Sequence, residues 1–305
     1  MRLFGFGGSE EENAARERDR ASQAAIVGGG LPLNAVDRLR EAAREDFFTS
    51  NLSAGELLLT HECGYRPVGQ VMGSSVYNVG WQWTPGTWNT ESGEMTTLTA
   101  AHYEVRHLAL GRLAQEAKLL GADGVVGVRL DMGDFEWGAG LLEFVALGTA
   151  VRREGAPPTH GEPFVSALSG ADHWALRESG YRPVGFCLGN CTWYQVGDRQ
   201  TQSAQVGGFF GGSWQNQELI GYTQALYTAR AAAMTRMRAE ADAVGAEGIV
   251  GVTLRPEIEK RHVEQNQNQA ARQDLVVSFT AFGTAVARET DASERKSPLT
   301  IVRLR

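Results

Sequence analysis

Apolar side chains recur about every 3.6 residues between positions 95 and 120, which predicts a long helix with one apolar stripe. The stripe comprises Leu98, Ala101, Val105, Leu108, Leu113, Ala117 and Leu120. Gly121 is expected to end this helix, and the apolar runs at 125–130 and 141–151 are typical of two antiparallel strands. The pattern therefore indicates a long helix followed by a β-hairpin.

A short helix and a further strand are predicted upstream of the long helix. Ser53 and Glu56 have the spacing of a capping box, so a helix is expected to begin there and to end at Gly64. Residues 68–72 are typical of a strand, and a loop rich in polar and aromatic residues follows them. The charged, alanine-rich residues 9–25 are compatible with an isolated helix or with a disordered segment.

The same pattern occurs twice in the chain. The motif Gly-Tyr-Arg-Pro-Val-Gly begins at Gly64 and again, letter for letter, at Gly180, an offset of 116 residues. Two further matched pairs follow at offsets of 124 and 135, namely 121–128 with 245–252 and 144–151 with 279–286. The second copy therefore carries insertions of 8 and 11 residues, which are expected in surface loops, the longer one between the last two strands.

These patterns predict an α+β protein of two tandem β-α-β-β units. Each unit is expected to be a long helix packed on a three-stranded antiparallel sheet, with extra N-terminal helices. Since one helix covers only one face of a sheet, we expect the two copies to pack on each other and on further chains, or to complete one core within a monomer. The expected boundaries are a charged N-terminal segment and helix at 1–47, a first repeat at 48–155, a linker at 156–163, a second repeat at 164–290 and a C-terminal tail at 291–305.

The repeated motifs resemble the YbjQ-like family. Leu-Gly-Ala-Asp-Gly-Val-Val-Gly-Val at 120–128 and Gly-Thr-Ala-Val at 148–151 carry the resemblance, together with their copies at 244–252 and 283–286. The resemblance covers both repeats and implies a dodecin-like unit that assembles into rings, commonly pentameric. The family has no established reaction. Its common description as heavy-metal-binding implies a heavy-metal ion as the one candidate cofactor.

Composition excludes several classes of function. The chain has 29 Lys and Arg residues against 36 Asp and Glu residues, a net charge of −7, which argues against binding of nucleic acid. No apolar run approaches the ~20 residues that span a bilayer. Three cysteines do not make a disulfide framework and suit a reducing compartment, so we expect a cytoplasmic protein. Neither a phosphate-binding Gly-rich loop nor a His-Glu-x-x-His motif is present, which favours a non-enzymatic role.

Cys187 and Cys191 are the candidate metal ligands. If one strand contains both, their α-carbons lie ~13 Å apart at about 3.3 Å per residue, too far for one ion, whereas a turn at Gly189-Asn190 brings them together. The first copy has neither thiol. We expect buried inert thiols, with a heavy-metal site completed by ligands from another subunit as the alternative.

The long helices share a polar face. Identical residues occupy it at a spacing of i, i+4 and i+7, namely Thr99, Tyr103 and Arg106 in the first copy and Thr223, Tyr227 and Arg230 in the second. The favoured interpretation is an anchor between subunits or between a helix and a loop, and the alternative is a site for an anionic ligand or a reaction. Arg112 and Glu116 are predicted to form a surface ion pair.

Aromatic residues are concentrated in the loops that precede the long helices. They are Trp81, Trp83 and Trp88 in the first copy and Phe209, Phe210 and Trp214 in the second. They are interpreted as a recognition surface for a protein partner, a ligand or a membrane interface, or as a plug for the open sheet face or for a neighbouring subunit. The sequence as a whole predicts a non-enzymatic homo-oligomer that acts as a binding scaffold.

Overall fold

The computed structural model describes residues 10–45, 47–78, 91–134, 141–158, 161–198, 218–263 and 272–289. Within these ranges three helices precede the first long strand, α1 (Glu10–Val27), α2 (Leu33–Ala42) and α3 (Ala54–Glu62). Of the two states considered for the charged N-terminal segment, residues 10–27 adopt the helical one. No helix among these ranges is both long and apolar enough to cross a bilayer.

Each repeat then shows the predicted order of helix and strands. The first contains β1 (Tyr65–Asn78), β2 (Gly93–Glu94), α4 (Thr96–Leu119), β3 (Gly124–Asp134) and β4 (Leu141–Arg153). The second contains β5 (Phe164–Val165), α5 (Gly170–Glu178), β6 (Tyr181–Gln195), α6 (Ile220–Ala243), β7 (Gly248–Val263) and β8 (Arg272–Arg288). The fold class is α+β, as the pattern indicated.

The predicted helix boundaries are confirmed where a specific residue sets them. Ser53 accepts from the backbone N–H of Glu56 while the Glu56 side chain accepts from the N–H of Ser53, a complete capping box. Gly64 ends α3 with φ +75°, and Gly121 follows α4 with φ +63°. These left-handed conformations are costly for residues with a Cβ, which is why glycine occupies both positions.

The described strands form two four-stranded sheets. Sheet 1 has the order β1-β4-β3-β5 and sheet 2 the order β2-β6-β8-β7. The three long strands of each are antiparallel, as predicted. The fourth strand of each sheet comes from the other repeat, since β5 pairs with β3 and β2 pairs with β6. The prediction of three strands was therefore incomplete, because these two-residue strands form only where the repeats meet.

Strand lengths also differ from the prediction. β1 and β6 continue well beyond the predicted strands, and Gly189 and Asn190 lie inside β6 rather than in a turn. The 11-residue insertion mostly lengthens the last hairpin: β7 has 16 residues against 11 in β3, and β8 has 17 against 13 in β4. Most of the inserted residues therefore pair between β7 and β8, although they were expected to lie in a loop.

The helices and sheets alternate in layers. Residues of α4 such as Val105 and Leu113 lie in one apolar cluster with Val71 of sheet 1 and with Leu188 and Phe282 of sheet 2. α6 packs on the other side of sheet 2. The order of the layers is therefore sheet 1, α4, sheet 2 and α6, with sheet 2 covered on both faces.

The long helix of each repeat lies directly on its own first strand. A Cβ at Gly73 of β1 would overlap the carbonyl oxygen of Ala109, and a Cβ at Gly189 of β6 would overlap that of Ala233. Glycine at these two positions permits the close approach of helix and strand. The approach brings helix side chains within reach of the strand backbone.

Candidate functional site

The polar face of α4 forms the interface between the two repeats. Tyr103 OH donates to Leu188 O at 3.3 Å, and Arg106 Nη2 donates to Thr280 Oγ1 at 2.9 Å. Thr99 Oγ1 accepts from the backbone N–H of Thr192 at 3.0 Å, and Thr99 O accepts from Asn190 Nδ2 at 3.1 Å. Three polar helix residues thus bind β6 and β8 of sheet 2.

The sequence predicted Thr99, Tyr103 and Arg106 as an anchor between subunits or between a helix and a loop, whereas these residues bind strands of the other repeat. The residues on the sheet side were not predicted. Asn190 and Thr280 are polar residues on strands whose first-repeat equivalents are Ser74 and Val145. That difference between the copies was a usable signal, because polar side chains that enter a buried apolar layer require partners.

Arg106 is a buried cation. Only 2% of its surface is exposed, and its guanidinium lies 5.8 Å from the centre of the Phe144 ring. Burial lowers its pKa to about 10, while nearby Glu257 acts in the opposite direction, so the side chain stays charged at neutral pH. Burial and the Arg106 charge lower the pKa of His102 to about 3, which keeps that imidazole neutral.

The described part of the chain leaves the equivalent face of α6 largely exposed. Tyr227 is 65% exposed, Arg230 is exposed, and Ile220 on the same side is 60% exposed. Thr223 Oγ1 donates to Glu218 Oε1 within the same repeat, at 2.9 Å. We call Ile220, Thr223, Tyr227 and Arg230 the outer face of α6. Thr99 and Arg106 are therefore buried on α4, whereas Tyr227 and Arg230 face solvent on α6.

On the side away from α4, residues 49–51 cover sheet 1 around Thr149, and the part along β1 from Met72 to Val76 is open among the described residues. Met72 is 43% exposed and Val76 is 56% exposed on β1. Met72 pairs with Leu147 and Ser74 pairs with Val145 on β4, and Arg129 and Asp131 of β3 complete the rows. We call Met72, Ser74, Val76, Leu147, Val145, Arg129 and Asp131 the outer face of sheet 1. It is the equivalent of the sheet 2 surface that receives α4.

Arg112 and Glu116 are buried, so the prediction of a surface ion pair was wrong. Glu116 is 2% exposed, and its Oε2 accepts from the backbone N–H of Met72 at 2.8 Å. Arg112 Nη1 donates to Ser74 O at 2.6 Å. In the second repeat Glu240 and Arg236 bind the backbone of β6 in the same way. The pair fastens each helix to its strand because glycine lets the two approach closely.

The remaining partners of these anchors differ between the repeats. Arg38 of α2 binds Glu116 at 3.1 Å, whereas His107 of α4 lies 3.2 Å from Glu240. The hydrogen bond to Glu240 raises the pKa of His107. Arg112 donates to Ile26 O in the last turn of α1 and to Gly30 O after it, whereas Arg236 binds Glu94 at 2.8 Å. In the first repeat, residues from α1 to α2 therefore bind the anchors Arg112 and Glu116. In the second repeat, residues of the first repeat bind the equivalent anchors Arg236 and Glu240.

Cys187 and Cys191 do not have the geometry of a metal site. Both lie in the continuous strand β6, four residues apart, which separates their α-carbons by ~13 Å. Both are fully buried in the cluster with α6, and burial raises the pKa of each thiol to about 11. In the described ranges no three His, Cys, Asp or Glu side chains are grouped so that they could hold an ion. The six aromatic loop residues lie outside the described residues.

Comparison with known proteins agrees with this architecture. The model of a family described as "Putative heavy-metal-binding" matches residues 65–154 and 196–289, and its name is YbjQ. A Mycobacterium tuberculosis protein named "Encapsulin nanocompartment protein Rv1762c" is 41% identical over 270 residues, which cover 87% of this chain and 94% of that protein.

Shorter relatives match a single repeat. A UPF0145 protein of Clostridium perfringens is 40% identical over 90 residues, which cover 29% of this chain and 83% of the relative. A UPF0145 protein of Archaeoglobus fulgidus is 40% identical over 87 residues, with shares of 28% and 79%. The family match spans two regions in order along the chain. The chain therefore belongs to the YbjQ family and contains two tandem copies of its domain.

Proposed function

We propose that the protein is a non-enzymatic structural subunit of a cytoplasmic, ring-forming homo-oligomer. The observation that carries the proposal is the layer order of the described residues, which begins with the partly exposed outer face of sheet 1 and ends with the exposed outer face of α6. Each of these surfaces has an equivalent inside the chain that is buried by protein. A protein whose layers are unfinished at both ends completes them by association.

Two further observations support an assembling scaffold over an enzyme. Arg106, the strongest candidate for holding an anion, is enclosed between α4 and β8 with Thr280 as a partner, so it serves the fold. The M. tuberculosis relative is named as an encapsulin nanocompartment protein, and we take this name as support for an assembling role of the chain. The free, buried thiols agree with a reducing compartment.

We also propose that the aromatic segments of the two repeats form the contact surface of the scaffold for a protein partner. Trp and Phe supply large apolar contact areas at recognition surfaces. Their support comes from the sequence, where three aromatic residues precede each long helix. In this proposal, substitution of Trp81, Trp83 and Trp88 by Ala leaves the oligomer mass unchanged.

Multi-angle light scattering across a dilution series tests the oligomer. We expect a mass of several times 33.1 kDa at micromolar concentration. A mass of one chain throughout the series, up to ~100 µM, contradicts the proposal, because an interface that buries about 1,600 Å² is normally populated there.

A further inference from the structure

We propose that α6 of one copy docks on the outer face of sheet 1 of the next copy, in the way that α4 docks on sheet 2 within the chain. The inference rests on the proposed oligomer and specifies its interface. The contact is head-to-tail, since each copy contributes a helix face to one neighbour and a sheet face to the other. Such a heterologous contact satisfies every face only when the ring closes.

The helix side of the proposed contact repeats the internal one. Thr223, Tyr227 and Arg230 are identical to Thr99, Tyr103 and Arg106 and have the same spacing on α6 as those residues have on α4. On α4 all three bind the neighbouring sheet. On α6 the same side of the helix is exposed, with Tyr227 65% accessible. A buried Tyr normally finds a partner for its hydroxyl, and a second sheet supplies one.

The sheet side can accept these residues because part of the internal contact uses backbone atoms. Tyr103 donates to the carbonyl of Leu188, and Thr99 accepts from the N–H of Thr192. The corresponding backbone groups in sheet 1 belong to Met72 and Val76. Because both partners are backbone groups, sheet 1 retains them although its side chains at these positions are Met72 and Val76 rather than Leu188 and Thr192.

The side chains of sheet 1 make the outer contact more apolar than the inner one. Met72 and Val76 replace Leu188 and Thr192, and both are exposed in the chain. Ile220 adds an exposed apolar side chain to the outer face of α6. Burial of these groups is favourable at about 25 cal/mol per Å².

Charge complementarity fits the arginine of α6 to sheet 1. Val145 takes the position of Thr280, the acceptor of Arg106, and cannot accept a hydrogen bond. Asp131 is the register partner of Val145 and is exposed, so it can supply a carboxylate for Arg230. The residue at that position in sheet 2 is Arg255. Sheet 1 therefore lacks the hydroxyl that Thr280 offers to Arg106. It has a carboxylate instead, because Asp131 stands in the place of Arg255, and this carboxylate can form a charge-assisted hydrogen bond with Arg230.

The N-terminal helices and the turn between them already make two of the contacts that the neighbouring repeat makes in the internal interface, since Arg38 binds Glu116 and Gly30 O accepts from Arg112. The proposed docking therefore leaves out the counterparts of His107 and Glu94. Within the chain, His107 of α4 reaches Glu240 of the opposing repeat. The residue of α6 at that position is Ala231, which is too short to reach Glu116 of the next copy. Arg38 of α2 binds Glu116 instead. The short side chain on α6 therefore leaves room for the arginine that takes its place.

Two blocking variants test the interface. Tyr227→Glu/Arg230→Glu disables the helix face, and Met72→Glu/Val76→Glu disables the sheet face. All four positions are exposed, so each chain is expected to fold, as circular dichroism can verify. Alone, each variant is expected to have the mass of one chain, 33.1 kDa. An equimolar mixture is expected to form a one-to-one dimer, because one intact helix face meets one intact sheet face.

Exchange of the charges at Arg230 and Asp131 is a second, independent test of the interface. Arg230→Glu is expected to weaken assembly at least 10-fold, and addition of Asp131→Arg in the same chain is expected to restore most of that loss. Glu178→Arg on α5, which reverses an exposed charge away from both faces, is the matched control and should keep the wild-type mass.

The outcomes separate the interface from the oligomer itself. An oligomeric wild type whose blocking variants keep the wild-type mass, or whose mixture stays at one chain, overturns the interface and leaves the proposed function standing. A wild type with the mass of one chain at all concentrations overturns both.

Discussion

Arg106 Nη2 donates to Thr280 Oγ1 across 2.9 Å, and this bond joins the long helix of the first repeat to the last strand of the second. The copy of this arginine on α6, Arg230, is exposed. The same residue at the same helical position thus has a partner in one repeat and faces solvent in the other. This difference identifies the internal interface and the surface on which a second copy is proposed to dock.

Substitution of Arg106 and of Arg230 by Ala should distinguish a residue that stabilises the folded chain from one that stabilises the oligomer. Arg106→Ala removes a buried partner of Thr280 and the cation over Phe144, so we expect a loss of about 3 kcal/mol in the free energy of unfolding. Arg230→Ala should change the unfolding of the single chain by less than about 0.5 kcal/mol. Urea denaturation at several protein concentrations checks both.

Dilution provides the control for that pair. The loss in Arg106→Ala should persist at every concentration, whereas any loss in Arg230→Ala should diminish on dilution, because it reflects weaker association. Equal and concentration-independent losses in both variants contradict the assignment.

Gly73 is expected to tolerate no side chain. Gly73→Ala places a Cβ against the carbonyl of Ala109 and must displace α4 from β1, at a cost of about 2 kcal/mol or more. Gly111→Ala is the matched control in the same helix, where a Cβ meets nothing within 4 Å, and it should stabilise by about 0.5–1 kcal/mol. Thermal unfolding measures both, and an unchanged melting temperature for Gly73→Ala rules out the close helix–strand contact.

His173 should make the fold sensitive to acid. It is buried between Tyr65 and Phe164, and burial together with Arg177 lowers its pKa to about 4. The unfolded imidazole has a pKa of about 6.5, so the unfolded chain binds the proton first as the pH falls. Stability is therefore full above about pH 6.5 and is lost between there and about pH 4.

The size of that effect can be measured by substitution. His173→Phe keeps an aromatic ring in the cluster and removes the titration. The slope of unfolding free energy between pH 4.5 and 6 should fall by up to about 1.4 kcal/mol per pH unit relative to wild type. A variant with the wild-type slope shows that His173 does not cause the acid sensitivity.

The thiols should be inert in the folded chain. Cys187 and Cys191 are fully buried, and burial raises the pKa of each to about 11. Thiolate is the reactive form, so reaction with a colorimetric thiol reagent at pH 8 should be at least about 100-fold slower than in urea. Rapid reaction of two thiols in the native protein contradicts this burial.

Metal content tests the same residues separately. Protein purified without chelator is expected to hold less than one thiol-bound heavy-metal ion per chain, because the two sulfurs are too far apart to share one. Elemental analysis of the wild type and of Cys187→Ser/Cys191→Ser should agree. A full equivalent that disappears in the double variant establishes a site that includes these cysteines.

Local chemistry explains which parts of the fold were predictable. The repeat, the capping box of Ser53 and Glu56 and the helix end at Gly64 depend on residues close together in sequence, and the structure contains all of them. Helix bounds followed because the apolar period and the glycines act within a few residues. The sequence underestimated the lengths of β1 and β6. The polar residues in the second half of each strand have no local strand pattern, and they are strand residues only because they pair with an adjacent strand.

By itself, the sequence determined two copies of one α+β unit and nominated Thr99, Tyr103 and Arg106 as a shared polar face. Only the tertiary structure decided that β2 and β5 join the sheet of the other repeat, that Arg112 and Glu116 are buried anchors, and that Arg106 is enclosed while Arg230 is exposed. The reason is physical. Identical residues in both copies carry identical local preferences, and their burial depends on which layer lies opposite, a property of the packed chain that no local pattern contains.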